Sequence, residues 1–173
     1  MAKKAAAKPA KKNAKKSVSP IPKGYPVLIP YLSVKGAAEA IKFYTTIFGG
    51  KERMRMPGPN GSVGHAEIDL GGSVLMLADE MPGQPAPAPS AAAPSMCPGL
   101  CLYVKNVDET FQRAVDAGSK VLRPLQNQFY GDRSGAIVDP FGYTWNLATH
   151  IEDVSPAEMQ KRMAETMKQK AHG

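Results

Sequence analysis

The sequence has few of the features that assign a chain to a common functional class. Its 173 residues include only two cysteines and one tryptophan. No apolar run approaches the roughly 18 residues that a membrane-spanning helix needs, and no apolar segment follows the N-terminal lysines as it would in a secretory signal. We therefore expect a cytoplasmic protein with no membrane partner. Cys97 and Cys101 are separated by three residues, which does not match a C-x-x-C redox or zinc motif, so we expect free thiols.

Acidic residues are absent from one end of the chain. Residues 1–22 contain seven lysines and no acid, whereas the other 151 residues contain 15 basic and 15 acidic side chains. The net charge of +7 therefore belongs to a tail, and the neutral remainder does not favour a nucleic-acid-binding domain. We expect residues 1–24 to form a disordered arm rich in Lys, Ala and Pro. Weak, non-specific nucleic-acid contact through this arm is one alternative role.

An internal repeat organises the remainder. Residues 29–81 aligned without gaps to residues 99–151 share 11 identities in 53 positions, where chance gives roughly three or four. We divide the domain 25–153 into module one (25–80), a proline-rich linker (81–98) and module two (99–153). Apolar periodicity and glycine turns predict the order β-α-β-β-β in each module. A C-terminal helix is predicted over 154–173, with Met159, Met163 and Met167 as its packing face.

The predicted strands and helix ends are as follows. In module one, strands are expected over 27–34, 51–56, 63–70 and 73–78, and the helix ends at Gly49-Gly50. In module two, strands are expected over 100–104, 120–125, 134–139 and 143–149. The module-two helix begins at Asn106, which forms a capping-box-like pair with Glu109, and ends at Gly118.

This tandem arrangement resembles the vicinal oxygen chelate superfamily, which includes glyoxalase I, bleomycin- and fosfomycin-resistance proteins and extradiol dioxygenases. Within that superfamily, the chain resembles the PhnB-like branch in the stretches AIKFYTTIFGG, GHAEIDLGGSVLMLADE and RPLQNQFYGDRSGAIVDPFGYTWNLATHIEDVSPAEM. The resemblance implies an α+β fold in which two tandem βαβββ modules form a curled, mixed-sheet cup around a site. It also implies a homodimer.

Metal-using members of that superfamily take one ligand from the first strand and one from the last strand of each module. The resemblance carries these positions onto Ile29, Met76, Gly99 and Asn146. Three of these residues cannot bind a hard or borderline cation, and Asn146 offers a neutral amide oxygen where imidazole or carboxylate is preferred. We therefore expect no metal site and no cofactor. A divalent ion (Zn, Ni, Mn or Fe) is the alternative.

Strand alternation predicts which side chains line the cup. With two-residue turns at Gly71-Gly72 and Pro140-Phe141, the expected cross-strand pairs are His65 with Ala78, Glu67 with Met76, Arg133 with His150, and Ile137 with Asn146. Trp145 then points to the core behind the sheet. The predicted ligand-binding residues are Tyr31, His65, Glu67, Met76, Cys101, Tyr103, Arg133 and Asn146.

Three of these residues suggest specific chemistry. His65 beside Glu67 is the candidate catalytic pair, an imidazole oriented as a base by a carboxylate. Arg133 is the candidate group for holding a carboxylate or phosphate. The alternatives are a hydrogen-bonded strand histidine at His65 and an internal turn pair of Asp132 with Arg133.

Two functions follow from the apolar cup and the metal positions. The first is a PhnB-like, bleomycin-resistance-type protein that lacks the standard metal site. It binds in the cup a small, largely apolar molecule that can carry an anionic group. The alternative is a metal-dependent lyase, isomerase or dioxygenase of the glyoxalase type. The residues leave open whether the chain is an enzyme.

Overall fold

A computed structural model of the chain describes residues 20–81, 88–94 and 99–171, with side chains as far as residue 165. Residues 1–19 of the predicted arm lie outside the described residues. The same holds for residues 82–87 and 95–98 of the proline-rich linker, which include Cys97, and for the side chain of Met167.

Both modules have the predicted β-α-β-β-β order. Module one contains β1 (Tyr31–Val34), α1 (Ala37–Phe48), β2 (Lys51–Pro57), β3 (Val63–Leu70) and β4 (Ser73–Asp79). Module two contains β5 (Leu100–Tyr103), α2 (Val107–Asp116), β6 (Lys120–Asn127), β7 (Asp132–Val138) and β8 (Thr144–His150), and α3 (Pro156–Ala171) follows. Strand β1 begins four residues later than predicted, because Pro30 has no N–H to donate to a sheet.

Each module forms one four-stranded mixed sheet. Sheet one has the order β1-β4-β3-β2 and sheet two the order β5-β8-β7-β6. The first strand of each module runs parallel to the last one, and the other neighbours are antiparallel. The α+β class with two tandem modules is therefore confirmed, and the two sheets stay separate.

The helix-covered faces of the two sheets share one hydrophobic core. Trp145 of β8 packs against Phe48 and Tyr44 of α1, with ring centroids 4.7 and 5.5 Å apart. The prediction that Trp145 lies in the core is confirmed by its burial. Because successive strand residues point to opposite faces, the other face of each sheet turns away from its helix; we call it the outer face.

The strand register confirms one hairpin and corrects the other. In module one, Glu67 lies opposite Met76 as predicted for a two-residue Gly71-Gly72 turn. In module two, Arg133 lies opposite Thr149, not His150. In the same register Ile137 lies opposite Trp145, not Asn146.

The physical reason for this error is the loop between β7 and β8. It spans residues 139–143 and is closed by the Asp139 carboxylate, which accepts the N–H groups of Phe141 and Tyr143 at 2.9 Å. The predicted two-residue turn at Pro140-Phe141 is therefore wrong. The odd number of loop residues moves Arg133 to the other face of the sheet.

The C-terminal helix makes its clearest contacts through polar groups. Arg162 forms ion pairs with Glu152 at 2.8 Å and Glu158 at 2.9 Å. Met163 is exposed, so the predicted packing face is wrong at this position. No helix in the described part of the chain is long and apolar enough to cross a membrane.

Candidate functional site

The outer face of sheet one carries a polar group that we call the module-one cluster: Tyr25, Tyr31, Arg53, His65 and Glu67. Alternation along β3 places His65 and Glu67 on this face, and β1 places Tyr31 there. The Tyr31 hydroxyl lies 3.2 Å from His65 Nδ1, and His65 Nε2 lies 3.4 Å from Glu67 Oε1. The predicted orientation of His65 beside Glu67 is thus present as a chain of contacts.

Glu67 is the centre of the module-one cluster. Only 3% of this residue is exposed, and the Tyr25 hydroxyl donates to its two carboxylate oxygens at 2.8 and 2.9 Å. Arg53 Nη1 lies 3.8 Å from Glu67 Oε2. The bond to Glu67 raises the pKa of Tyr25, because the carboxylate stabilises the protonated phenol. Tyr25 therefore remains a hydrogen-bond donor at neutral pH.

Methionine side chains flank this buried carboxylate on the two neighbouring strands. Met76 lies directly opposite Glu67, while Met54 of β2 pairs with Glu67 on its other side. Met54 is exposed, as is Met56. A cavity of about 400 Å³ lies between the sheet and residues 20–29, and its lining includes Ile29, Glu67 and Met76. Methionine-rich surfaces adapt to ligands of different shape.

The outer face of sheet two carries a second group, the module-two cluster: Tyr103, Arg123, Asp132, Asn146 and His150. Asp132 is buried and accepts the Tyr103 hydroxyl at 2.6 Å. This bond raises the pKa of Tyr103 to about 12. His150 places Nδ1 2.8 Å from Asp132 and Nε2 3.0 Å from Asp153, and these bonds raise the pKa of His150.

Arg123 supplies the positive group of the module-two cluster. Its Nη2 lies 3.4 Å from Asn146 Oδ1, and it has no carboxylate partner within the described part of the chain. Cys101 lies opposite Asn146 on β5 and is a free thiol. Burial and then Asp132 raise the pKa of Cys101, so the group remains a thiol and not a nucleophilic thiolate.

Arg133 lies on the helix-covered face and not in the cup. Its guanidinium binds Asp108 at the start of α2, with N–O distances of 2.6 and 2.8 Å, and a further nitrogen donates to Asn127 at 3.1 Å. The Asp108 carboxylate raises the pKa of Arg133, and the guanidinium lowers the pKa of Asp108. The predicted place of Arg133 in the cup is therefore wrong, and the alternative, an internal pair of Asp132 with Arg133, is not formed either, because Arg133 binds Asp108 whereas Asp132 binds Tyr103 and His150.

The predicted site residues fall into two groups instead of one. Tyr31, His65, Glu67 and Met76 share the outer face of sheet one, and Cys101, Tyr103 and Asn146 share that of sheet two. Among the described residues, no side-chain hydrogen bond or ion pair joins one cluster to the other. Sequence reasoning missed Tyr25, Arg53, Arg123 and Asp132. Strand alternation could not find Arg123, because a register shift in β6 between Val121 and Arg123 reverses the face on which Arg123 lies.

The donors at the superfamily's metal positions do not fit a divalent ion. Ile29 and Gly99 have no ligating side chain, and Met76 offers only a thioether. Asn146 offers an amide oxygen, which already lies within reach of Arg123. Across residues 20–81, 88–94 and 99–165, no group of three or more His, Cys, Asp or Glu side chains is arranged to hold a cation.

Comparisons with known proteins give the chain's relationships. It is 38% identical over 142 residues to an uncharacterized protein of Mycobacterium bovis, covering 80% of this chain and 93% of that one. TioX from Micromonospora sp. ML1 superposes with a TM-score of 0.56 and 27% identity, covering 72% of this chain and 98% of TioX. A PhnB protein from Bacillus cereus has the same fold, with a TM-score of 0.58, 21% identity and coverages of 72% and 99%.

A family profile matches residues 27–147, which is most of the chain and covers most of both modules. The matched segment includes Tyr31, Glu67, Cys101 and Asn146. The chain therefore belongs to the Glyoxalase/Bleomycin resistance protein/Dioxygenase superfamily.

Proposed function

We propose that the chain binds a small, largely apolar molecule that donates a hydrogen bond to Glu67, without a metal at the superfamily's standard positions. The observation that carries this proposal is the buried Glu67 carboxylate on an outer face that is otherwise rich in methionine. A buried ion pair is weak evidence for a stabilising role, since apolar residues of similar volume stabilise a fold as well or better. Its position beside a cavity favours recognition of a ligand.

The site contains several groups that would orient such a ligand. Met54, Met56 and Met76 offer adaptable apolar contact. His65 lies between Tyr31 and Glu67, and each of its ring nitrogens donates or accepts a hydrogen bond according to the tautomer. The same geometry makes His65 the candidate base if the bound molecule reacts, with Glu67 orienting the ring.

An anionic group of the ligand is assigned to Arg123. This guanidinium lies on the outer face of sheet two and has no carboxylate partner among the described residues. The Arg133 guanidinium, in contrast, is paired with the Asp108 carboxylate. Substitution of Arg123 by Gln should weaken binding of aromatic carboxylates about tenfold or more, since charge-assisted bonds are the strong ones. The matched variant Arg133→Gln should leave it unchanged. Equal effects of the two variants would refute the assignment.

A homodimer would complete the cup. The two clusters lie on separate faces within one chain, and the edge strands β1 and β5 each pair on one side only. Tyr31 and Tyr103 on these strands are 55% and 60% exposed, which favours contact with a second copy. We expect a dimer by size-exclusion chromatography with light scattering. A monomer at concentrations that support ligand binding would contradict this part of the proposal.

Binding itself is tested with a panel of small aromatic alcohols and aromatic carboxylates, followed by isothermal titration calorimetry. The informative variant is Glu67→Gln, which keeps the volume of the side chain and removes its charge. Its matched control is Glu52→Gln, an identical change at an exposed carboxylate of the same sheet that pairs with Arg55. We expect Glu67→Gln alone to lose about tenfold in affinity or more. Equal affinities in both variants would refute the proposal.

A further inference from the structure

Residues 20–30, which we call the strap, cross the outer face of sheet one before β1 begins. The strap contains Pro20, Pro22, Pro26 and Pro30, and its turn is closed by the Tyr25 N–H donating to the Pro22 carbonyl at 3.2 Å. Most of it is exposed: Leu28, for example, exposes 86% of its surface. Tyr25 and Ile29 are its only half-buried residues. Tyr25 is the strap's side-chain anchor to the sheet; the strap backbone also accepts from Arg53 Nη2 at the Gly24 carbonyl (3.5 Å) and from the Met76 N–H at the Pro30 carbonyl (3.0 Å).

The contacts of Tyr25 are those of a bound phenol. Its hydroxyl donates to both oxygens of the Glu67 carboxylate, and the Arg53 guanidinium carbon lies 4.6 Å from the centre of its ring. The ring thus has a buried acceptor at its polar end and a cation over its face, which are the interactions that recognise an aromatic alcohol. The cavity beside it, lined by Ile29 and Met76, adds apolar surface.

Glu67 retains other partners when Tyr25 leaves. Arg53 Nη1 lies 3.8 Å and His65 Nε2 lies 3.4 Å from its oxygens, so the carboxylate keeps compensating charges and donors. A buried carboxylate that keeps these partners can exchange one phenol for another. A carboxylate ligand would meet like charge at Glu67, so the position selects a neutral donor.

We propose that Tyr25 is an internal occupant of the Glu67 site, and that the ligand presents to Glu67 a neutral aromatic hydroxyl that replaces the Tyr25 phenol when the strap lifts. This inference rests on the proposed function, because it assumes that the outer face of sheet one is the binding surface. It adds the ligand class and the segment that must move.

The first test uses p-cresol, which is the side chain of tyrosine as a free molecule. Replacement of Tyr25 by Ala removes the internal occupant, so we expect p-cresol to bind Tyr25→Ala at least about tenfold more tightly than wild type in calorimetry. Toluene, which has no hydroxyl, should not bind. A matched Tyr130→Ala variant, changed in module two, should behave as wild type. Equal p-cresol affinity in wild type and Tyr25→Ala would overturn the gating role, and absence of binding to Tyr25→Ala would overturn the ligand class.

The second test follows the strap without a ligand. Lys23 lies in the strap and is exposed, so trypsin cleavage after it reports how often the strap leaves the sheet. We expect Tyr25→Ala to accelerate the appearance of the fragment that begins at Gly24 at least about fivefold, measured by mass spectrometry. The Tyr130→Ala variant should match wild type. Identical rates in all three proteins would overturn the anchoring role of Tyr25.

These outcomes separate the two proposals. If a ligand depends on Glu67 but binds wild type and Tyr25→Ala equally well, the strap inference fails and the proposed function stands. If Glu67→Gln leaves the affinity of every ligand unchanged, the proposed function fails, whatever the rate of strap cleavage.

Discussion

One buried hydrogen-bond network fixes module one against module two. The Asp139 carboxylate is fully buried and accepts the Tyr44 hydroxyl and the Trp145 indole N–H, both at 2.8 Å. Tyr44 belongs to α1 of module one, whereas Asp139 and Trp145 belong to module two. The network therefore links the two modules within their shared core.

We predict that Tyr44→Phe destabilises the chain by about 2 kcal/mol, because the lost bond joins a hydroxyl to a carboxylate that has no access to water. The variant keeps the aromatic ring, so no large cavity forms. In an Asp139→Asn background the same change should cost less, because the amide is a weaker acceptor. The difference between the two costs, about 1 kcal/mol, is the coupling energy of the pair.

Urea unfolding measures these values. Trp145 is the only tryptophan and lies within the network, so its fluorescence reports loss of this contact, and far-UV circular dichroism serves as an independent probe. Tyr130→Phe is the control, since no hydrogen bond of its hydroxyl is present in the described structure; it should change stability by less than about 0.5 kcal/mol. Equal midpoints for Tyr44→Phe and Tyr130→Phe would refute the reasoning.

Three further predictions follow from other contacts. The pKa of His150 is raised in the folded chain, so its protonated form stabilises the fold. This contribution is complete below about pH 6.5 and is lost as the pH rises through the folded pKa. The urea midpoint of His150→Asn should therefore depend less on pH in this window than that of wild type, and an unchanged pH profile would contradict this. Gly131 has φ 98°, and an added Cβ would collide with the Glu152 carbonyl oxygen, so Gly131→Ala should lower the free energy of unfolding by about 2 kcal/mol or more. Gly49 has open space around it, so Gly49→Ala should lower the free energy of unfolding by only about 1 kcal/mol. Titration with Zn²⁺, Ni²⁺, Mn²⁺ and Fe²⁺ should reveal no tight stoichiometric binding; a tight site that is lost in His65→Ala would contradict the metal-free proposal.

The two hairpins show which parts of the fold can be read from sequence. Gly71-Gly72 is a two-residue turn with positive φ at both positions, and such turns fix the register of their strands. The β7–β8 loop contains Pro140 and Gly142, which suggested a similarly short turn. Its true length depends on the carboxylate of Asp139 capping two backbone N–H groups, and local composition does not reveal that bond.

The candidate site was predictable where it depends on strand alternation within one hairpin. His65, Glu67 and Met76 share a face because the Gly-Gly turn sets their register. Tyr25 was missed because it belongs to an irregular, proline-rich segment, and its contact with Glu67 spans 42 residues of sequence. No periodicity connects a segment of this kind to the sheet that it covers.

The repeat duplicates the backbone but not the chemistry of the two outer faces. Met76 and Asn146 occupy equivalent positions, since each lies on the last strand opposite the first strand of its module. Their antiparallel neighbours differ: Glu67 lies opposite Met76, whereas Ala136 lies opposite Asn146. Both faces carry a guanidinium, Arg53 or Arg123, and a buried carboxylate, but Glu67 lies directly opposite Met76, whereas Asp132 lies further along its strand, opposite His150. If the proposed dimer brings the two faces together, a ligand between them would meet a carboxylate beside the last strand of module one and an amide on that of module two, so its two ends would need different polar groups.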